Sequence, residues 1–260
     1  MSTDDNTPVA NDAALWTALR RLTAARIGLP RSGASLATAP LLAFQLAHAQ
    51  ARDAVHAELD TPRLALDLAP LGLPVLTVSS AASDRQTYLM RPDLGRTLPP
   101  ESQRTIAAAA HAGPYDVVFV VSDGLSARAV QSHAAPVVSA ALQILRGADW
   151  RMAPLVIVNH GRVAVGDAVA ALLGATYLVM LIGERPGLSA PDSMGAYLTC
   201  KPGVLTTDAD RNCVSNIRPD GIGYTEAATK LAHLLNAMRK DGISGVRLKD
   251  TSDRLKIGGN

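Results

Sequence analysis

Beyond about residue 70, nearly unbroken apolar runs alternate with longer amphipathic ones. LPVLTV (73–78), DVVFVVSDG (116–124), PLVIVNHG (154–161) and ATYLVMLIGE (175–184) read as strands, with 195–200 as a candidate fifth. Helices are expected over 101–111, from near Leu125, and over a stretch closing at Gly174. Apolar strands separated by helices predict a parallel sheet covered on both faces. A final helix, about 225–240, sets Ala227, Ala228, Leu231, Leu234, Leu235 and Met238 on one face, with Thr225 as N-cap and Gly242 after its end.

The N-terminal part has a different pattern. Residues 1–11 form a polar tail, expected to be disordered. Over 12–25, Leu15, Trp16, Leu19 and Leu22 fall on one helical face, which docks either on its own domain or on a partner. RIGLPRSGAS (26–35) is irregular by its Gly and Pro content. A strong helix follows from Thr38, an expected N-cap with Pro40 in the first turn, to about Leu59. Its stripe of Gln45, His48, Arg52 and His56 is either a solvated face or one turned to a partner or ligand. The division is a tail at 1–11, an N-terminal helical extension at 12–70 and a doubly wound, mostly parallel α/β domain at 71–260.

Composition narrows the function. With 25 basic and 23 acidic residues the net charge is +2, too balanced for an electrostatic nucleic-acid binder. The nine aromatics (two Phe, two Trp, five Tyr) leave little for base stacking. Two cysteines make no disulfide framework, and no secretory signal is visible at the N-terminus, so the cytoplasm is the expected compartment. The uncharged run between Asp167 and Glu184 is shorter than the roughly 18 residues of a membrane span, and Gly174 interrupts it.

In open α/β sheets ligands bind outside the carboxyl ends of the strands. The loops 122–128, 159–163 and 183–187 therefore predict one crevice, with Asp123, His160, Arg162, Glu184 and Arg185 near its rim. No dinucleotide fingerprint, phosphate-binding loop or nucleophile elbow is present. A triad of His160, Asp123 and Ser126, or a carboxylate pair of Asp123 and Glu184, exists only on paper. Cys200 and Cys213 lack the spacing of a zinc site. Asp208 and Asp210 read as a helix start with a surface acid pair, and Cys213 as a partly buried filler or a ligand contact.

The stretches ARIGLPRSGASL (25–36), FQLAHAQARDAV (44–55), SDGLSARAV (122–130), GERPGLSAPDS (183–193), DADRNCVSNIRPDG (208–221) and SGVRLKD (244–250) together resemble the ethanolamine ammonia-lyase small subunit. That resemblance implies a Rossmann-like domain that closes over adenosylcobalamin at the interface with a large, barrel-shaped catalytic subunit. The complex, a dodecamer of both subunits, would convert ethanolamine to acetaldehyde and ammonia by a radical mechanism. Family cofactor contacts carry over onto Val163, Glu184 and Cys213; the family usually has Ile after that Cys, where this chain has Val214. None of the six His follows an Asp by two positions, so no protein histidine is expected on cobalt. No residue of this chain is expected to act as an acid or base on substrate, or as a metal ligand. Residues 12–25 leave open an alternative role in assembly or in recruitment to a bacterial microcompartment.

Overall fold

The computed structural model describes residues 10–110 and 113–252. It begins with α1 (Ala10–Arg20), a minimal hairpin of β1 (Arg31–Ser32) and β2 (Ser35–Leu36), then α2 (Thr38–His56) and α3 (Thr61–Leu68). There follow β3 (Val75–Ser79), α4 (Arg85–Met90), α5 (Pro100–Ala109), β4 (Tyr115–Ser122), α6 (Ala127–Arg146) and β5 (Leu155–Asn159). The chain continues through α7 (Val165–Leu173), β6 (Ala175–Gly183), β7 (Met194–Cys200), β8 (Arg211–Ile217) and α8 (Tyr224–Asp241).

β3 to β8 form one six-stranded sheet, ordered β3-β5-β4-β6-β7-β8. The pairings among β3, β5, β4 and β6 are parallel, whereas β7 runs antiparallel to both its neighbours. The fold is therefore α/β with a mixed, mostly parallel sheet.

Successive strand residues point to opposite faces. Val117, Phe119 and Val121 pack with α3, α6 and α8, while Val118 and Val120 pack with α5 and α7. Cover on both faces explains why β4, β5 and β6 are apolar at nearly every position. Each fully buried Val, Leu or Ile contributes about 1.5–3 kcal/mol, so cohesion is concentrated in this sheet. By contrast, α2 buries only Ala47 and Ala54. The chain leaves β4 through α6 on one face and leaves the adjacent β5 through α7 on the other. That reversal opens a crevice at the two carboxyl ends.

The structure departs from the sequence reading at several element ends. β8 has no counterpart in that reading: Asp208 and Asp210 form a 3-10 turn capped by Thr207, and an extended strand follows instead of a helix. A bulge breaks its alternation, because Ser215 and Asn216 stand opposite the single Gly195. The helix after β4 starts at Ala127, where the Ser126 hydroxyl accepts from the Ala129 N–H. Thr38 and Thr225 are not N-caps; they lie inside α2 and α8, whose capping positions are Ala37 and Gly223. The 26–35 segment carries β1 and the first residue of β2, which pair as a hairpin.

α1 ends at Arg20, so Leu22 lies beyond it, and Leu15, Trp16 and Leu22 are exposed. It packs against its own 27–28 turn, where Arg20 donates to the Ile27 and Gly28 carbonyls. Gln45, His48, Arg52 and His56 are all exposed. Leu64 and Leu68 of α3 are fully buried in the core beneath α6. Most of the polar tail read over 1–11, the end of the helix read over 101–111, and the end of the domain read to 260 lie outside the described residues.

Candidate functional site

The carboxyl ends of β4, β5 and β6 surround a cavity of about 400 Å³ whose wall includes Tyr88, Arg162, Val163, Glu184, Arg185 and Tyr197. The loops from β4 and β6 cross there at backbone contact. A Cβ on Gly183 would collide with the Ser126 and Asp123 carbonyl oxygens, and one on Gly124 would meet the Gly183 carbonyl. The Leu125 N–H donates to that carbonyl at 2.9 Å. Only glycine at both positions lets the loops close this tightly.

Glu184 directly follows β6 and is held by Ser193, just before β7, and by the end of β8. Its Oε1 accepts from the Ser215 hydroxyl, and its Oε2 from the Ser193 hydroxyl and the Asn216 N–H. The bulge makes this possible. It folds the end of β8 over the carboxylate, while Gly195 leaves room: a Cβ there would stand 2.9 Å from Glu184 Oε1. Bulges commonly re-aim side chains next to functional sites.

Val163 follows β5 in a turn anchored from below. His160 opens the turn in the left-handed region, with φ 56°. Its N–H donates to Asp123 Oδ1 at 2.7 Å, and its carbonyl accepts from the Ser80 hydroxyl at 2.7 Å. Asp123 is buried and paired with buried Arg85 at 3.1 Å. Burial pushes the Asp123 carboxyl above the usual carboxylate range, against the opposing pull of Arg85. Arg85 also donates to the Gly124 carbonyl and, through Nε and Nη2, to the Val55 carbonyl of α2. Two guanidinium groups pack on the Tyr88 ring, that of Arg85 at 4.9 Å and that of Arg162 at 4.2 Å from its centroid. Burial pushes its hydroxyl up to about 12.

Cys213 is exposed on β8 opposite Tyr197, its register partner on β7. The two polar groups interact, and Tyr197 lines the cavity. Surrounding protein, then the Glu184 carboxylate, push the Cys213 thiol up. Burial, then Cys213, push Tyr197 up to about 12.

Of the residues expected at the rim, Arg162, Glu184 and Arg185 line the cavity, whereas Asp123 is buried beneath it. His160 stands beside Tyr88, with ring centroids 6.2 Å apart. No triad forms. His160 meets Asp123 through its backbone, and the Ser126 hydroxyl donates to the Pro191 carbonyl. Among the described residues no group of three or more His, Cys, Asp or Glu is placed to hold a metal. Tyr88, Tyr197 and Arg85 are absent from the sequence reading. For Tyr88 and Arg85 a signal exists in Asp84, which caps α4 by accepting from the Thr87 N–H. For Tyr197 the strand is legible, but its face is not.

The comparisons with known proteins meet this geometry. The family model for the ethanolamine ammonia-lyase light chain (EutC) matches residues 13–249. This chain belongs to the ethanolamine ammonia-lyase light-chain family. Proteins named "Ethanolamine ammonia-lyase small subunit" are similar along almost its whole length. That of Ralstonia nicotianae is 53% identical over 252 residues, covering 96% of this chain and 93% of that protein. That of Azotobacter vinelandii is 52% identical, covering 94% and 91%. That of Pseudomonas syringae pv. tomato is 50% identical, covering 95% and 85%. The light-chain match spans every residue that lines the cavity. Among the described residues no helix is long and apolar enough to cross a membrane.

Proposed function

We propose that this chain is the small subunit of an adenosylcobalamin-dependent ethanolamine ammonia-lyase, and that its Rossmann-like domain contacts the cofactor through Val163, Glu184 and Cys213 at the interface with the large subunit. The observation that carries this reading is their convergence. Val163 and Glu184, on different strand ends, line one cavity, and Cys213 reaches it through Tyr197.

The chemistry of the wall fits a corrinoid, which has an apolar ring fringed with amides. Val163 offers an apolar surface to the ring. Glu184 has three of its roughly four acceptor positions filled, leaving one for a side-chain amide. Cys213 adds a small, polarizable contact. A cavity of about 400 Å³ is far smaller than the cofactor, so this chain covers one side and the large subunit covers the other. When bound, adenosylcobalamin supplies the radical chemistry that turns ethanolamine into acetaldehyde and ammonia. This chain grips, orients and excludes water. With no histidine two positions after an Asp, the chain leaves the cofactor its own lower base.

The assembly in this reading is a cytoplasmic dodecamer of both subunits. The exposed Leu15 and Trp16 of α1 favour an added role for the N-terminal helix in assembly or microcompartment recruitment. Deleting residues 1–25 separates the two: lost assembly assigns the helix to the subunit interface, and altered location with retained catalysis makes it an address.

The test is acetaldehyde release from ethanolamine with adenosylcobalamin, using this chain alone and with a large subunit. Activity only in the mixture is expected. Activity from this chain alone, or none in a mixture whose large subunit is competent with another small subunit, would overturn the proposal.

A further inference from the structure

Arg162 and Val163 also border a second cavity, of about 480 Å³, whose wall carries Arg96, Arg211, Thr206, Thr207 and Asp208. The charges in this wall do not balance. Arg211 is committed to acids, gripping Asp167 with both terminal nitrogens and reaching Asp208 through Nε at 3.4 Å. Arg96 and Arg162 have no carboxylate partner among the described residues.

Arg162 is nevertheless held in place. Its Nη2 donates to the Tyr88 carbonyl at 3.0 Å, its plane lies over the Tyr88 ring, and Gly95 makes room for its stem, since a Cβ there would stand 2.8 Å from Arg162 Cγ. Its Nε is buried with no acceptor. A buried guanidinium N–H without a partner is costly, so such groups normally have one. A fixed guanidinium with no acid partner, an unpaired Arg96 nearby, threonines on the wall and the start of α7 at the edge together form a receptor for a compact anion. Forked guanidinium donors match a phosphate particularly well.

We infer that this cavity takes a phosphate ester, that of the nucleotide tail of cobalamin, with Arg96 and Arg162 as its ligands. The inference rests on the cofactor reading above. Val163 borders both cavities, so a ring resting on it has its periphery beside the arginines, and the tail carries the one phosphodiester of that cofactor.

The test uses the complex of this chain with the large subunit, titrated by absorbance with cyanocobalamin and with dicyanocobinamide, which lacks the tail and its phosphate. Arg96→Gln and Arg162→Gln are each expected to weaken cyanocobalamin binding by about tenfold or more, the usual scale for a charge-assisted hydrogen bond. Cobinamide binding is expected to stay unchanged in Arg96→Gln, since Arg96 lines the second cavity and not the first, and Arg162→Lys is expected to recover part of the loss. Equal weakening of both corrinoids by Arg96→Gln, or none for either, overturns the phosphate site alone. Inorganic phosphate that binds the wild type but not Arg96→Gln, with cobalamin affinity unmoved, would show a site for free phosphate and overturn the assignment to the tail. Impaired subunit assembly with unchanged cofactor affinity would place an acid of the partner there instead. A wild-type complex that binds neither corrinoid sinks the cofactor reading itself.

Discussion

Arg211 grips Asp167 through both terminal nitrogens, at 2.7 and 2.6 Å, and so ties the helix that follows Val163 to the strand that carries Cys213. Both side chains are buried, 3% and 8% exposed, and Thr199 accepts a further hydrogen bond from Arg211 at 3.2 Å. Two of the proposed contact residues are thus held at fixed spacing by one ion pair. Removing one partner strands a buried charge, at a cost of about 3–5 kcal/mol. Asp167→Asn and Arg211→Met should each lose stability on that scale in denaturant unfolding. The charge-free pair Asp167→Leu with Arg211→Met should recover part of it. Single variants as stable as the wild type would show that the pair does not hold these elements together.

Gly183→Ala forces a methyl group into the Ser126 and Asp123 carbonyl oxygens where the β4 and β6 loops cross. Overpacking of this kind costs about 1–3 kcal/mol, and the same displacement should distort the cavity and weaken corrinoid binding. Gly203→Ala is the control. No atom lies within 4 Å of its Cβ position, so its effect should stay within about 0.5 kcal/mol. Thermal melts of the two variants side by side check this.

Glu184→Gln keeps the shape but offers only one acceptor oxygen to three donors: the Ser193 and Ser215 hydroxyls and the Asn216 N–H. The hydroxyls can rotate, but the Asn216 N–H cannot. A loss of about 1.5–3 kcal/mol in stability is expected, the scale of a hydrogen bond to a charged group, together with weaker corrinoid binding by the complex. Unaltered corrinoid affinity would remove Glu184 from the contact set.

His133 of α6 should make the chain acid-sensitive. It is buried, its Nδ1 lies 2.9 Å from the Tyr224 hydroxyl and its Nε2 lies 3.0 Å from the Asp192 carbonyl, so it joins α8 to the loop between β6 and β7. Burial lowers its pKa below the ordinary 6.5 despite the nearby Asp192, and Arg218 pushes the same way. With the folded value below the unfolded one, the unfolded chain binds more protons, so stability falls as pH drops below about 6.5. Melting temperature followed from pH 8 to 5 should decline more steeply in the wild type than in His133→Asn. Parallel curves would show that His133 does not titrate in this window.

The parallel strands were legible because burial on both faces leaves them apolar at nearly every position, as in DVVFVVS and ATYLVMLIG. The rule placing ligands at their carboxyl ends then brought Arg162, Glu184 and Arg185 to one crevice. β8 was not legible. Within RNCVSNI only Arg211, Val214 and Ile217 are buried, because the bulge shifts the alternation on which a strand signal depends. The Asp167–Arg211 pair was hidden for another reason: β8 is what delivers Arg211 to α7, and no local pattern records a contact so distant along the chain. Val163, Glu184 and Cys213 came from family resemblance; the structure brings the first two to one cavity and sets Cys213 against Tyr197 of its wall.

The clamp on Glu184 bears on how tightly this surface could hold anything at all. A free glutamate samples many rotamers, and freezing such a side chain during association costs about 0.5–1.5 kcal/mol. Here the Ser193 and Ser215 hydroxyls and the Asn216 N–H impose that order when the chain folds. A ligand that meets the carboxylate finds it already immobile. More of the interaction then survives as net affinity, because the entropy of that one side chain was given up before the encounter.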